Sequence, residues 1–381
     1  MSTPLAICAP NLGTLSETFI RRHMEDLLPN QTIVLADTNS KPYSGHWTVD
    51  CPLLIKDKIE IRGLNLGLED YLARRLAKRS NKESIEREIK RFLKTHNVQV
   101  ILGEYLNYSF HYFEIAQELG IPYFAHAHGY DVSVVLHQKK WQKNYQKYQQ
   151  AAGIITMNQI SRQRLIDLGI DSDKIHVIPY GIKSPSEPIK RTEKETIRCL
   201  AVGRMVAKKA PIFLLEAFRQ AALVLPNLQL DYIGAGELLP AVRQFIEALG
   251  LADQVTLHGG QPNDIVHQLM KEADIFIQHS ILDQDSGDEE GLPVAILEAM
   301  GFTLPVVSTR HAGIPESVLE EETGFLVDEG DCQGMAQKII NLAQNHDLRI
   351  QMGLAGWQRA KECFSWELEK KRLLEVMNLT H

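Results

Sequence analysis

The chain has 381 residues, 44% hydrophobic and 23% charged, with a formal net charge of -7. That length exceeds one ordinary core, so two domains are expected, and the composition excludes a disordered chain. No apolar run approaches the roughly 18 residues of a spanning helix, and the charge divides into +4 over residues 1–183 (23 Lys+Arg, 19 Asp+Glu) and -11 over the rest (18 against 29), so neither half suits nucleic acid.

The opening MSTPLAICAPNLG reads as a first strand and its loop rather than a signal peptide, which gives a cytoplasmic expectation. Further strands are predicted at QTIVLAD, VQVILGE, IPYFAHAHG, AAGIITM and KIHVIPYG, with helices at SETFIRRHMEDLL and SIEREIKRFLKTH between them. Between Tyr71 and Lys94, nine cations (Arg74, Arg75, Lys78, Arg79, Lys82, Arg87, Lys90, Arg91, Lys94) face three glutamates, Glu83, Glu86 and Glu88. With few apolar residues among them, they read first as a solvated helical face and second as a peripheral contact with anionic lipid.

A polar run without periodicity, KSPSEPIKRTEKE (183–195), is the expected linker. After it, strands are predicted at IRCLAVGR, LQLDYIGAGE, QVTLHGG, ADIFIQHS, TLPVVST and GFLVDE, with helices starting near Pro211, Glu237, Asn263, Pro293 and Asp331. Strands alternating with helices in both halves predict an α/β fold with parallel sheets covered on both faces. The last segment reads as a helix capped by Ser365, with Trp366, Leu368, Leu373, Leu374 and Met377 as its apolar stripe, closing its own domain or crossing back to the first. The cysteines Cys8, Cys51, Cys199, Cys332 and Cys363 have no CxxC spacing and are expected as buried thiols.

Chemistry concentrates in DEEGLPVAILEAM (288–300). Gly291 frees a turn, Pro293 suits a first helical position, and Glu290 and Glu298 flank the helix start, roughly 10 Å apart at 1.5 Å rise per residue. N–H groups at such a start favour a phosphate, leaving one carboxylate for a sugar and one for a ribose; the plain alternative is an acidic first turn that only complements the helix dipole. In AVGRMVAKKAP the strand ends at Gly203, and Arg204 and Lys209 project from its carboxyl end, where they suit a diphosphate leaving group or are simply exposed cations.

Gly234 and Gly236 of GAGE either admit a ribose or base or form a tight βα turn. The loop after the first strand, APNLGTLSET, offers only Gly13, which disfavours a GxGxxG dehydrogenase. In SETF, Ser16 reads as a helix cap and Glu17 as a group offered to an acceptor. His126, His128 and Asp131 of HAHGYD end a strand. No third ligand follows at a known spacing, so a hydrogen-bonding His at the cleft is favoured over zinc, with a merely packed His ranked between the two. Asp283 and Asp285 form a DxD, but Gly287 stands one position short of a calcium loop; an acidic loop that orders over bound donor is expected.

Taken in chain order, HGYD, VIPYGI, VGRMVAKK and the paired Glu290 and Glu298 make nearly the whole chain resemble family four of the retaining glycosyltransferases. SETFI, HSILDQDSGDEEG and STRHAGIPE resemble its exopolysaccharide and surface-glycan branch. The resemblance implies a GT-B architecture, two Rossmann-like domains facing across a cleft. Residues 1–183 would be the acceptor side, with Gly13, Ser16 and Glu17, and 184–364 the nucleotide-sugar side. Residues 365–381 would form a helix crossing back to the first domain.

It further implies that Glu290 holds donor-sugar hydroxyls, Glu298 the ribose diol, and Arg204 and Lys209 the diphosphate. Gly203, Gly234, Gly236, Gly291, Leu292, Pro293 and Val294 would lie along the donor, with His128 contacting the sugar. No cofactor or metal is expected. The implied activity is retaining transfer of a hexose from a UDP- or GDP-linked donor to a glycan or lipid-linked acceptor. Competing readings are a nucleotide-sugar binder without turnover and a sugar-nucleotide epimerase. Ala210, where glycine often follows the lysine, departs from the family pattern.

Overall fold

A computed structural model describes residues 4–14, 17–38, 49–59 and 71–379, as backbone alone at 38 and over 71–81. Its strands are β1 (Leu5–Asn11), β2 (Thr32–Thr38), β3 (Leu53–Ile55), β4 (Val100–Glu104), β5 (Tyr123–His126), β6 (Gly153–Thr156), β7 (Ile175–Val177), β8 (Ile197–Val202), β9 (Leu228–Ile233), β10 (Val255–Gly259), β11 (Ile275–Ile277), β12 (Val306–Thr309) and β13 (Gly324–Val327). The first seven form one sheet in the order β3-β2-β1-β4-β5-β6-β7, and the last six another, β10-β9-β8-β11-β12-β13. Each sheet with its helices is a lobe. The ladders are parallel, as between Ile7 of β1 and both Val34 and Leu102, or Cys199 of β8 and both Leu230 and Ile275.

Parallel strands need crossovers that cover both faces, which is why these segments are apolar on both sides. Ala6, Cys8, Ile33, Leu35 and Ile101 fill one face of the first sheet; Leu5, Ile7, Val34 and Leu102 fill the other. That second face belongs to a cluster that continues through Tyr180 and Ile182 to Leu200, Ile296, Leu297 and Val306 of the second lobe. In each sheet the strand order reverses beside the first strand of the lobe, at β1/β4 and β8/β11. Ligands of open α/β sheets bind beyond the carboxyl ends at such points.

All twelve predicted strands are present. β3, three residues at a sheet edge, was not legible from periodicity. The expected helix at 16–28 runs as Thr18–Arg22 followed by a π-helical His23–Leu27. Pro293 is the N-cap of the helix Val294–Gly301, not its first turn. Ser365 caps the helix Trp366–Val376 by position only, with no side-chain bond. Two of the five cysteines, Cys8 and Cys199, are buried; Cys51, Cys332 and Cys363 are half-buried, so the expectation of buried thiols throughout is corrected.

The segment after Ile182 is extended, and Arg191 within it donates to the carbonyls of Met270 at 3.0 Å and Phe302 at 2.8 Å. Ile182 lies beside Ser365, so the two chain passages between the lobes are paired: Ile182 N–H donates to Phe364 O at 2.7 Å, and Trp366 N–H to Ile182 O at 3.0 Å. The helix beyond packs on the first lobe, where Glu369 meets His23 and Lys370 donates to Asp26 O at 2.7 Å. Among the described residues, no helix is long and apolar enough to cross a membrane.

Candidate functional site

The carboxyl ends of β8, β9 and β12 bring the second lobe's charged motifs together. β8 leads to exposed Arg204 and to Lys208 and Lys209, at the foot of the helix Pro211–Val224. Ala210 takes a left-handed φ of 39° there, so the chain makes with alanine the turn that glycine makes more easily.

Lys209 ion-pairs with Glu290. Burial pushes the Glu290 carboxyl up, but Lys209, Lys208 and Arg204 together outweigh it and hold the group down at about 2. Glu290 is therefore an ionised carboxylate among three cations. Glu298, 5% exposed on the helix Val294–Gly301, has only long contacts, Asn263 Nδ2 at 3.4 Å and His267 Nε2 at 3.5 Å. Its oxygens retain acceptor capacity toward a diol.

Lys208, read as part of the motif but given no role, is 7% exposed and donates to Asp288 Oδ1 and Glu289 O, both at 3.0 Å. Arg164 of the first lobe pairs with Glu289. The acidic loop is thus held from both sides. Asp283 accepts from Asp285 N–H at 3.2 Å and from Ser286, closing its own turn.

Gly234 packs on Gly203, and Gly236 on Met205. A Cβ on Gly234 would stand 1.9 Å from Gly203 O, and one on Gly236 2.4 Å from Met205 O. This is the tight βα turn, and the glycines are needed by protein backbone whatever ligand lies beyond.

Across from this, Gly129 of HGYD abuts Gly291: a Cβ on Gly129 would lie 3.1 Å from Gly291 N. Asn158, which caps the helix Gln159–Asp167 through Ser161 N–H at 2.8 Å, also donates from Nδ2 to Gly291 O at 2.9 Å. Leu292 and Pro293 are buried and Val294 half-buried behind that contact.

His128 was read as contacting the donor sugar; the structure shows the partners its ring has within the protein. The ring is turned inward, 2% exposed, with Nε2 at Glu104 Oε2 (2.8 Å) and Nδ1 at the Tyr180 hydroxyl (2.5 Å). Burial, then the neighbouring His126, push its pKa down to about 4, so it is neutral, with Nε2–H donating to Glu104. The part of HGYD that reaches the second lobe is the Gly129 backbone, because Asp131 fixes the turn by accepting from His128 N–H at 2.7 Å and Leu106 N–H at 2.6 Å.

Glu104, His23, His126 and Glu369 were not singled out from sequence, except His126 as a zinc alternative. His23 lies between Glu104 Oε1 at 2.7 Å and Glu369 Oε1 at 3.1 Å. Burial alone would lower its pKa, but Glu104 and Glu369 raise it to about 10, so it is an imidazolium. The ligand atoms of His23, Glu104 and His126 lie within 4.8 Å of one another, the one group among the described residues with metal-ligand spacing. Glu104 instead meets His23 and His128 at hydrogen-bonding lengths, and the set is a buried ion cluster.

Glu17 accepts from the Tyr105 hydroxyl at 3.0 Å; burial, more than any other influence, raises its pKa, with Arg204 opposing. Gly13, at φ 103°, is buried in the turn before it, and Ser16 lies outside the described residues. So do the side chains of Arg74, Arg75, Lys78 and Arg79; of the remaining basic run, Lys82, Lys90 and Arg91 are ion-paired with Glu86, Glu118 and Glu88.

Two family profiles match in tandem, Glycosyltransferase Family 4 over residues 57–184 and Glycosyl transferases group 1 over 184–359. The chain is 30% identical over 253 residues to the amylovoran biosynthesis glycosyltransferase AmsK of Erwinia amylovora, covering 66% of this chain and 62% of that protein. It is 31% identical over 221 residues to the putative colanic acid biosynthesis glycosyltransferase WcaL of Escherichia coli, covering 57% and 54%. The chain thus spans less than two thirds of the length of these curated relatives. Its fold is that of Anabaena Alr3699/HepE in complex with UDP, with a TM-score of 0.75 at 16% identity over 99% of this chain and 100% of that one. A Rickettsia africae glycosyltransferase gives 0.75 at 17%, over 98% of each.

Proposed function

We propose, from a chain that belongs to glycosyltransferase family four and has the GT-B fold, that it moves a hexose from a UDP- or GDP-linked donor to an acceptor hydroxyl, with retention and without a metal, in exopolysaccharide or other surface-glycan synthesis. The observation that carries this reading is the ionised Glu290 set against Lys209, with Arg204 exposed beside them at the carboxyl end of β8.

On this reading Arg204 and Lys209 take the diphosphate, Glu290 the sugar hydroxyls and Glu298 the ribose diol. The acceptor oxygen attacks C1 from the face the diphosphate leaves. The C1–O bond to phosphate breaks, and the departing phosphate oxygen takes the acceptor's proton while the cations hold its charge. A retaining glycosidase needs two carboxyl groups about 5.5 Å apart flanking the bond, whereas Glu290 is committed to a lysine and Glu298 sits in the helix. Residues 1–183 serve the acceptor, with Glu17 within electrostatic reach of Arg204, 184–364 serve the donor, and the helix Trp366–Val376 ties the lobes together. The relatives' names favour an exopolysaccharide acceptor, and the helix Tyr71–Thr95 is the segment suited to an anionic lipid surface.

The test offers nucleotide sugars in EDTA with a glycan or lipid-linked acceptor, follows nucleoside diphosphate release, and assigns the product's anomeric configuration by NMR. Release with an α-linked product from an α-linked donor is expected, and Arg204→Ala should lower kcat far more than it lowers Tm. Wild-type transfer by Arg204→Ala would sink the assignment. An inert binder releases no nucleoside diphosphate, and an epimerase consumes no acceptor.

A further inference from the structure

The run STRHAGIPE was read above only as a mark of the family branch, yet its loop, between β12 and the short helix Ile314–Ser317, is built against the turn that carries Glu290. Glu290 N–H donates to His311 Nε2 at 3.0 Å. A backbone amide only donates, so Nε2 must present its lone pair and the ring proton must sit on Nδ1. Nδ1 lies 2.6 Å from Glu329 Oε1, which can only accept when ionised.

The other oxygen of Glu329 accepts from Leu282 N–H at 2.9 Å, at the start of the acidic loop, and His311 is 2% exposed. Two residues on, a Cβ at Gly313 would stand 2.1 Å from Gly291 O and 2.6 Å from Asn158 Nδ2, so the loop backbone lies flat on the residue after Glu290. Between them Ala312 holds a left-handed φ of 42°. A residue with a Cβ adopts that conformation only when its surroundings impose it.

We propose that His311, oriented by Glu329, is a positioning residue for Glu290. The pair fixes the peptide from which the Glu290 carboxylate projects, and so where that carboxylate meets the donor sugar. A carboxylate–histidine pair is a common means of locking an imidazole in one tautomer, and here the locked ring grips a main-chain N–H. Glu298, eight residues further on and inside the helix, is not held by this relay, so nucleotide binding and sugar positioning separate. The inference rests on the reading of Glu290 as the residue that holds the donor sugar.

The experiment uses the full chain. His311→Ala should lower kcat on the order of 100-fold, as misplacement by about 1 Å does. Affinity for UDP and GDP alone, by calorimetry, should stay within about twofold. His311→Gln, whose Oε1 can still accept from Glu290 N–H, should recover most of the rate. The tautomer is read without activity: in protein with ¹⁵N-labelled histidine rings, the resonance pair missing from His311→Gln should be that of an Nδ1–H imidazole.

An Nε2–H ring, a wild-type kcat in His311→Ala, an equal loss of nucleotide affinity, or no recovery with Gln would each overturn the proposal. Glu290→Gln separates the two readings. If it transfers like wild type, the role of Glu290 itself falls. If it is crippled while His311→Ala is not, only the positioning role falls.

Discussion

Each lobe carries a charged cluster, and the two are built on opposite plans. In the first lobe, His23, Glu104, His128 and Glu369 are paired with one another and, at His128 Nδ1 and the second Glu369 oxygen, with Tyr180 and Gly181 N–H, none of the four more than 3% exposed at its side chain. In the second, Arg204 is exposed, Lys209 and Glu290 are each 12% exposed at their side chains, and among the described residues the Glu298 carboxylate has no polar contact shorter than 3.4 Å. A closed cluster fixes structure; an open one retains bonding capacity for a ligand. Similar residue types therefore hold the lobes together in one place and leave bonding capacity unspent in the other.

The comparison breaks if the closed cluster proves dispensable. Glu104→Ala leaves a buried imidazolium with one carboxylate and should destabilise the protein by about 3–5 kcal/mol, measured by denaturant unfolding. A loss below 1 kcal/mol, by the same scale, would make the cluster incidental. It sharpens if the open cluster shows the reverse balance. Lys209→Met should cut transfer on the order of 10²–10³-fold while lowering Tm far less than Glu104→Ala does. Equal damage to both would erase the distinction.

Glu298→Gln keeps the shape but gives up the charge, and should weaken nucleotide binding about tenfold, read by calorimetry with UDP and GDP. Unchanged affinity would remove Glu298 from the ribose. The smallest effect is a pH dependence. The pKa of His23 is raised to about 10 from 6.5, so its contribution to stability is complete below about 6.5 and is lost as pH rises through about 10. The Tm difference between wild type and His23→Gln should be widest near pH 6 and narrow toward pH 10; a constant difference would mean that His23 is neutral.

Most of the fold was legible because buried parallel strands are written as short apolar runs between helical patterns. β3 escaped because three residues carry no period. The charged motifs of the second lobe were legible because they are contiguous: Arg204 and Lys209 fall in one turn, and Glu290 and Glu298 flank one helix start. His128 was recognised, but the partners of its ring were not. Local spacing places it at a strand end, while the partners that turn it inward, Glu104 and Tyr180, come from 24 residues before it and 52 after.

What the sequence determined by itself was the alternation of elements, the two-sheet plan, and the motifs that lie within single turns, since these depend on neighbours a few residues apart. Tertiary structure alone decided which carboxylates are spent and which remain available. His23 meets Glu369 across 346 residues, and the backbone N–H of Glu290 donates to His311 across 21. Whether a buried charge is paired depends on what the fold delivers to it, and periodicity records which side of an element is buried, not what lies opposite.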